Sequence, residues 1–106
     1  MKKVIWHPKA RDEISQFPKS IRDELGYLIF RLQKGDVLDM PYSKPMPSVG
    51  RGVYELRSRG QDGIYRVFYY QKFESGILVF HCFKKKTDKT PVKEIEQGRK
   101  NLKEFI

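Results

Sequence analysis

Hydrophobic residues in the first third of the chain change from a short continuous run to a helical spacing. The run VIW, closed by Pro8, predicts a strand over Lys3–Trp6. Apolar side chains then recur every three or four positions up to Pro18. They do so again between Ser20, a candidate N-cap, and Gly35, which is suited to end a helix. These spacings predict a hairpin of two helices with one buried side.

The second half of the chain shows the alternation of half-buried strands. After a loop rich in proline and glycine over Asp36–Gly52, the segments VYELRSR, IYRVFYY and ILVFHCF are separated by the turns GQDG and QKFESG. A last helix is expected to start with Thr90 as N-cap and Pro91 in its first position. This order predicts an α+β fold: a small antiparallel sheet with a three-strand meander, an N-terminal helical hairpin packed on it and a C-terminal helix. We expect residues 1–106 to form one domain.

The net charge of the chain limits the classes of partner that it is expected to bind. Lysine and arginine number 22 and acidic residues 13, which gives a formal net charge of +9 and favours a phosphate-rich partner. A membrane partner is disfavoured, because the predicted helices carry core stripes and no segment reaches the length of a membrane span or has the form of a signal peptide. The single cysteine, Cys82, excludes an intrachain disulfide and fits a core position in a cytoplasmic protein.

The pairing of the first two meander strands brings two arginines together. If GQDG forms the turn, Arg59 pairs with Ile64, and Arg57 lies opposite Arg66 on the face that also carries Glu55. Exposed like charges in this position repel unless an anion sits between them, and two guanidinium groups match a phosphate. Alternatively, the arginines fan apart into solvent or pair with the glutamate.

A row of lysines follows the most apolar strand. Lys84, Lys85 and Lys86 leave the end of ILVFHCF, and Lys89 comes shortly after them. We expect these lysines to converge with the arginines on one phosphodiester backbone. The alternative is a solvated strand end that opposes aggregation.

Aromatic residues and histidines offer further candidates. Four aromatic residues are interleaved with the cations: Tyr65, Phe68, Tyr69 and Tyr70. Such rings can stack on single-stranded bases, but each of them is favoured as a core residue. His81 is either a catalytic imidazole or, as we favour, a core residue. No metal or cofactor is expected, because His81 and Cys82 point to opposite faces and no metal-ligand spacing or glycine-rich phosphate loop is present.

Three segments, taken in order, resemble the HigB/RelE-like toxins of bacterial toxin–antitoxin pairs, in particular the phage-derived HigB-like branch. They are YELRSR, GIYRVFYY and ILVFHCFKKKTDKTPVKEIEQG. FPKSIRDEL extends the similarity to the second helix. The resemblance implies a RelE-like fold and a ribosome-dependent, metal-independent endoribonuclease that cuts mRNA through attack of the 2′-hydroxyl. It also implies a helix-turn-helix, HigA-like antitoxin as partner, with operator DNA contacted only through the antitoxin complex.

The family pattern assigns roles to the strand arginines and the lysines. Arg57 and Arg66 match the arginines that would clamp the phosphate, and Lys85 and Lys86 would stabilise or protonate the leaving oxygen. Contacts with RNA are expected from four further side chains, of which the first is also a candidate to assist catalysis: Arg59, Lys84, Lys89 and Tyr70.

Two residues are candidates for the general base, and the sequence does not decide between them. Glu55 shares the arginine face, but its position beside two arginines weakens it as a base. His81 has the better intrinsic pKa and an undetermined orientation. Some relatives use a C-terminal tyrosine, and this chain has no tyrosine after Tyr70.

Two other functions remain open. One is a non-catalytic nucleic-acid-binding regulator that uses the helical hairpin, although the apolar stripe of the second helix leaves a thin polar face for a DNA groove. The other is an inactivated toxin that only binds its antitoxin.

Overall fold

The computed structural model describes residues 1–71 and 76–106 and contains a five-stranded sheet between helices. The elements are β1 (Lys3–Trp6), α1 (Pro8–Ser15), α2 (Lys19–Gln33), β2 (Ser43–Pro45), β3 (Val53–Gly60), β4 (Gly63–Tyr70), β5 (Gly76–Lys85) and α3 (Val92–Lys103). Across the sheet the strand order is β1–β5–β4–β3–β2. Most of the predicted QKFESG turn lies outside the described residues. None of the described helices is long and apolar enough to cross a lipid bilayer.

The sheet combines the predicted meander with two edge strands. The antiparallel meander is confirmed as β3, β4 and β5. The sheet as a whole is mixed, because β1 pairs with β5 in parallel. The other edge is β2, a three-residue strand inside the predicted Asp36–Gly52 loop, where Ser43 pairs with Leu56. Its sequence, SKP, has no alternating pattern, and proline is tolerated there because the strand lies at an edge.

Pleating of the central strand β4 divides the core into two layers. Tyr65, Val67 and Tyr69 face α1 and α2, whereas Phe68 and Tyr70 belong to the layer beneath α3. The apolar stripes predicted for the first two helices pack into the first layer. Because β4 is covered on both faces, its sequence is a nearly continuous apolar run. The expectation that its aromatic residues are mainly core residues is confirmed.

Two helices start at positions other than those predicted. The N-cap of α2 is Pro18 and that of α3 is Pro91, so the predicted caps at Ser20 and Thr90 are wrong. Each proline has an extended ψ, 148° and 145°, and its ring sets φ for the residue that leads into the first turn. The predicted end of α2 is confirmed, because Gly35 has a φ of +96° directly after the C-cap.

Helix α3 approaches the sheet closely at Gly98. A Cβ atom at this position would lie 2.7 Å from Cδ2 and 2.8 Å from Cε2 of Phe68, which is fully buried. The side-chain amide of Asn101 donates to the Phe80 carbonyl oxygen at 2.8 Å. These contacts fix α3 against the face of the sheet that carries the paired arginines.

Candidate functional site

Four charged side chains of β3 and β4 form a group that we call the arginine face: Glu55, Arg57, Arg59 and Arg66. Arg57 lies opposite Arg66 and Arg59 opposite Ile64, so the register predicted from the GQDG turn is confirmed. Side-chain alternation places the group on the side of the sheet that faces α3.

Arg66 is fully buried, with 0% of its surface exposed. The expectation of an exposed arginine pair is therefore wrong. Its Nη2 atom donates to the Thr87 carbonyl oxygen, and Nη1 donates to Thr90 Oγ1 at 3.4 Å. The guanidinium carbon lies 5.9 Å from the centroid of the Phe83 ring. Burial lowers the pKa of Arg66 and the nearby Glu55 carboxylate opposes this shift, but a guanidinium stays charged in proteins.

Glu55 supplies the buried counter-charge of the arginine face. Its Oε1 atom is 3.2 Å from Arg57 Nε, and its Oε2 atom accepts a hydrogen bond from the Thr90 hydroxyl at 2.8 Å. Arg57 therefore pairs with the glutamate, one of the alternatives that the sequence left open. This internal carboxylate offsets the repulsion between the arginines without an external anion. Among the described residues, Arg66 Nε has no hydrogen-bond partner.

Residues 86–90 lie between β5 and the N-cap of α3 and cross the arginine face; we call this segment the cover loop. The Asp88 carbonyl oxygen accepts from Arg57 Nη2 at 2.6 Å, and the Thr87 carbonyl accepts from Arg66. These oxygens occupy guanidinium donors that would otherwise be free to bind a phosphate. A phosphate can therefore reach Arg66 only when the cover loop moves. The sequence gives no direct signal for this contact, because it depends on the path of a loop.

Lys84 lies on the opposite face of the sheet from the paired arginines. Its ammonium group is 3.1 Å from the Asp62 carboxylate and 5.9 Å from the centroid of the Tyr65 ring, in the layer below α2. The hydrogen bond with Asp62 raises the pKa of Lys84. The predicted convergence of all the lysines with the arginines is thus wrong for Lys84, because consecutive strand residues point to opposite faces.

Glu94, in the first turn of α3, pairs with two of the predicted site residues. Its Oε1 atom is 2.8 Å from His81 Nε2, and its Oε2 atom is 3.5 Å from Lys85 Nζ. Burial lowers the pKa of His81, and the hydrogen bond with Glu94 opposes that shift. Sequence reasoning did not select this glutamate. An acid in the first turn of a helix is a weak signal, since the helix dipole alone accounts for it.

Lys86 and Lys89 of the cover loop are exposed. Lys86 and Arg59 line one cavity of about 330 Å³ with the hairpin turn at Gly60–Gly63. Lys86 therefore shares a cavity with a member of the arginine face. The Lys89 carbonyl oxygen accepts a hydrogen bond from the Thr87 hydroxyl at 3.0 Å, which shapes the cover loop.

Two further sequence candidates lie in the core. Tyr70 is 5% exposed in the layer beneath α3, so its ring is not presented to an RNA base, and we remove it from the RNA-contacting set. Cys82 is buried in the other layer, where burial raises the pKa of its thiol; its predicted core position is confirmed. Within residues 1–71 and 76–106, no group of three or more His, Cys, Asp or Glu side chains is placed to hold a metal ion.

Comparison with known proteins adds a family and a fold. A family model of phage-derived Gp49-like proteins (DUF891) matches residues 12–103. A separate comparison with curated protein sequences found no match. Among solved structures, the crystal structure of the isolated E. coli RelE toxin is similar over 100% of both chains, with a TM-score of 0.60 and 16% sequence identity. At this identity the likeness shows the fold alone. Because the family model covers most of the chain, this protein belongs to the phage-derived Gp49-like family, and its fold is RelE-like.

Proposed function

We propose that this protein is the toxin of a type II toxin–antitoxin pair and a ribosome-dependent endoribonuclease that needs no metal. The observation that carries the proposal is the cross-strand pair of Arg57 and Arg66, held in register on a rigid sheet. Lys86 lines a cavity together with Arg59, another member of the arginine face. Membership of the Gp49-like family and the likeness to a toxin of RelE fold support the same function.

The proposed reaction is an internal phosphoryl transfer in mRNA. The 2′-hydroxyl gives its proton to a base, and its oxygen bonds to the adjacent phosphorus. The P–O5′ bond breaks, which leaves a 2′,3′-cyclic phosphate and a 5′-oxygen that takes up a proton. Arg57 and Arg66 would bind the non-bridging oxygens as their charge grows, with help from Arg59, and Lys86 would protonate the leaving oxygen. Lys85 is held by Glu94, so we give it a supporting electrostatic role.

Of the two candidate bases, we propose Glu55. It lies within the arginine face, so a phosphate bound to Arg57 would bring the attacking hydroxyl close to its carboxylate. His81 Nε2 is already bonded to Glu94. Because Glu55 and Arg66 are both fully buried, the reaction requires displacement of the cover loop by RNA.

The partners follow from the same proposal. We propose a helix-turn-helix, HigA-like antitoxin that silences the toxin, and a ribosome that presents mRNA to the arginine face. Operator DNA would be contacted only through the antitoxin complex. We place this activity in the cytoplasm, where ribosomes and mRNA meet, and the net charge of +9 suits both.

The closed cover loop favours one rival, a toxin fold that has lost catalysis and only binds its antitoxin. In that case the carbonyl groups of Thr87 and Asp88 satisfy the guanidinium donors permanently. A DNA-reading regulator is less favoured, because the apolar side of α2 is buried against the sheet and leaves a narrow polar face.

Cleavage of mRNA on programmed ribosomes tests the proposal. Wild-type protein should cut in the presence of EDTA and leave a 2′,3′-cyclic phosphate or 3′-phosphate and a 5′-hydroxyl. Arg57→Ala should lower the rate by about 10²–10³-fold, by analogy with a lost oxyanion donor. Arg51→Ala is the matched control, because Arg51 is exposed in the turn before β3, away from the arginine face.

Two results would contradict the proposal. A 5′-phosphate product would show that water attacks, which excludes the 2′-hydroxyl mechanism. A folded wild-type protein that binds antitoxin but neither cuts mRNA nor arrests growth when expressed alone would establish the non-catalytic rival.

A further inference from the structure

A cavity of about 300 Å³ opens beside the arginine face, at the edge of the sheet. The edge strand β2 pairs with β3 only over Tyr54–Leu56. Immediately beyond it, the Tyr42 carbonyl oxygen accepts a hydrogen bond from the Arg57 amide at 2.9 Å. The cavity lies beside the part of β3 that β2 does not cover, and both Arg57 and Arg59 line it.

One wall of this cavity consists of apolar side chains that are left exposed. Met40 is 56% exposed and Tyr42 45% exposed, with Pro41 between them. The Tyr42 backbone is fixed at both ends, because its amide donates to the Asp39 carbonyl at 3.0 Å and its carbonyl accepts from β3. An aromatic ring on a fixed backbone is a stacking platform, and a methionine adapts to the shape of what it covers.

The lining of this cavity also includes a carboxylate without a partner among the described residues. Glu24 projects from α2 into the lining of the cavity and is exposed. Among the residues that the structure describes, its carboxylate makes no hydrogen bond or ion pair. Arg59 also lines this cavity, and its long 3.4 Å contact with the exposed Asp88 carboxylate leaves its donors largely available. The cavity is thus lined by an aromatic ring, a carboxylate acceptor and two arginines.

We propose that this cavity binds one nucleobase of single-stranded RNA, and that guanine is its preferred occupant. The inference rests on the proposed function, because it supplies a specificity subsite for the same substrate. The base would stack on Tyr42, and its phosphate would lie on Arg59, whose donors are largely available.

The preference for guanine follows from the carboxylate acceptor in the lining of the cavity. The Watson–Crick edge of guanine presents two adjacent donors, N1–H and N2–H₂, which suit the two oxygens of Glu24. On adenine and cytosine the exocyclic amine stands next to a ring acceptor, and uracil offers one N–H between two carbonyl groups. These three bases would place an acceptor against the carboxylate.

A neighbouring cavity offers a path along which a bound RNA strand could continue. It shares Arg59 and Ile64 with the base cavity and ends at Lys86. A chain of nucleotides could therefore pass from the tyrosine wall over Arg59 to the lysine. The base cavity would then select which nucleotide of the RNA lies beside the phosphate that is cut.

NMR titration of the isolated protein with the four nucleoside 5′-monophosphates tests the subsite without ribosomes or catalysis. GMP should bind most tightly and shift the signals of Met40 and Tyr42. Tyr42→Ala should raise the Kd for GMP about 5- to 140-fold, which corresponds to about 1–3 kcal/mol for one stacked base. Glu24→Gln should remove most of the preference for GMP while AMP, CMP and UMP bind as before.

Matched controls are exposed residues outside the cavity. Tyr27→Ala changes an exposed tyrosine of α2, and Glu96→Gln changes an exposed glutamate of α3. Both variants should bind all four nucleotides as the wild-type protein does.

Three outcomes would overturn the subsite: equal Kd values for the four nucleotides, binding unaffected by Tyr42→Ala, or Tyr42 signals that respond to purified antitoxin but to no nucleotide. If the protein cuts mRNA in an Arg57-dependent way and yet binds no GMP, the subsite falls and the proposed function stands. If GMP binds as described but no RNA is cut, the proposed function falls and the subsite stands.

Discussion

Replacement of Arg66 by alanine would test whether the arginine face and the cover loop form one buried charged unit. The guanidinium group donates to the cover loop at two residues, Thr87 and Thr90, and it lies beside the Glu55 carboxylate. An exposed like-charge pair would lose nothing, or gain a few tenths of a kcal/mol, when one charge is removed. The buried arrangement predicts a large loss of stability instead.

The size of that loss follows from what remains behind. Arg66 makes no direct ion pair with Glu55, but the two buried charges stabilise each other electrostatically. Removing one member of a buried pair of charges typically costs about 3–5 kcal/mol, because the surviving charge stays buried. Glu55 would retain Arg57 and the Thr90 hydroxyl, so we expect the low end, about 3 kcal/mol. For a chain of this size the loss corresponds to a fall in Tm of roughly 12–24 °C.

Urea denaturation followed by circular dichroism provides the measurement, with Arg59→Ala as the control. Arg59 is exposed, so its removal should change the free energy of unfolding by no more than about 0.5 kcal/mol. The double variant Glu55→Gln/Arg66→Met should recover part of the loss, with a coupling of about 0.5–3 kcal/mol. If Arg66→Ala unfolds within about 0.5 kcal/mol of the wild type, the guanidinium does not hold the cover loop and the reasoning is refuted.

Three further predictions concern other parts of the site. Burial lowers the pKa of His81 from its ordinary 6.5, so the unfolded chain binds this proton more readily and the free energy of unfolding should fall as pH drops below that value. In urea titrations between about pH 5 and 8, His81→Gln should reduce this dependence, and an unchanged slope would contradict the assignment. Gly98→Ala should destabilise the fold by about 1–2 kcal/mol, because the clash with Phe68 exceeds the gain in helix propensity; a higher Tm would disprove the close approach. Lys86→Ala should slow mRNA cleavage on ribosomes whereas Lys84→Ala, on the other face, should not; equal losses would count against the placement of the site.

The parts of the site set by strand geometry could be predicted from the sequence. A four-residue turn and a period of two are enough to place Arg57 opposite Arg66. The same parity also contains a signal that our prediction did not use. Phe83 shares a side of the sheet with Arg66, so the next residue, Lys84, must point to the other side. Alternation could thus have separated Lys84 from Lys85, but the position of Lys86, which follows the end of β5, depends on the cover loop.

The parts that depend on loop conformation could not be predicted. The carbonyl groups of Thr87 and Asp88 reach the arginines because of the path between β5 and α3, and every residue type has a carbonyl group. The pairing of Ser43 in β2 likewise depends on contact with β3, since its three residues carry no pattern of their own. In both cases tertiary contacts decide the structure, and local sequence preference does not.

The parallel pairing of β1 with β5 has a consequence for the order of events during synthesis. Val4 leaves the ribosome well before its partner, Ile77, which lies much later in the chain. Such long-range pairing delays folding until the later strand is available. The cover loop and α3 come later still. If the proposed function holds, the site can assemble only after β5, the cover loop and α3 have all emerged from the ribosome that makes the chain.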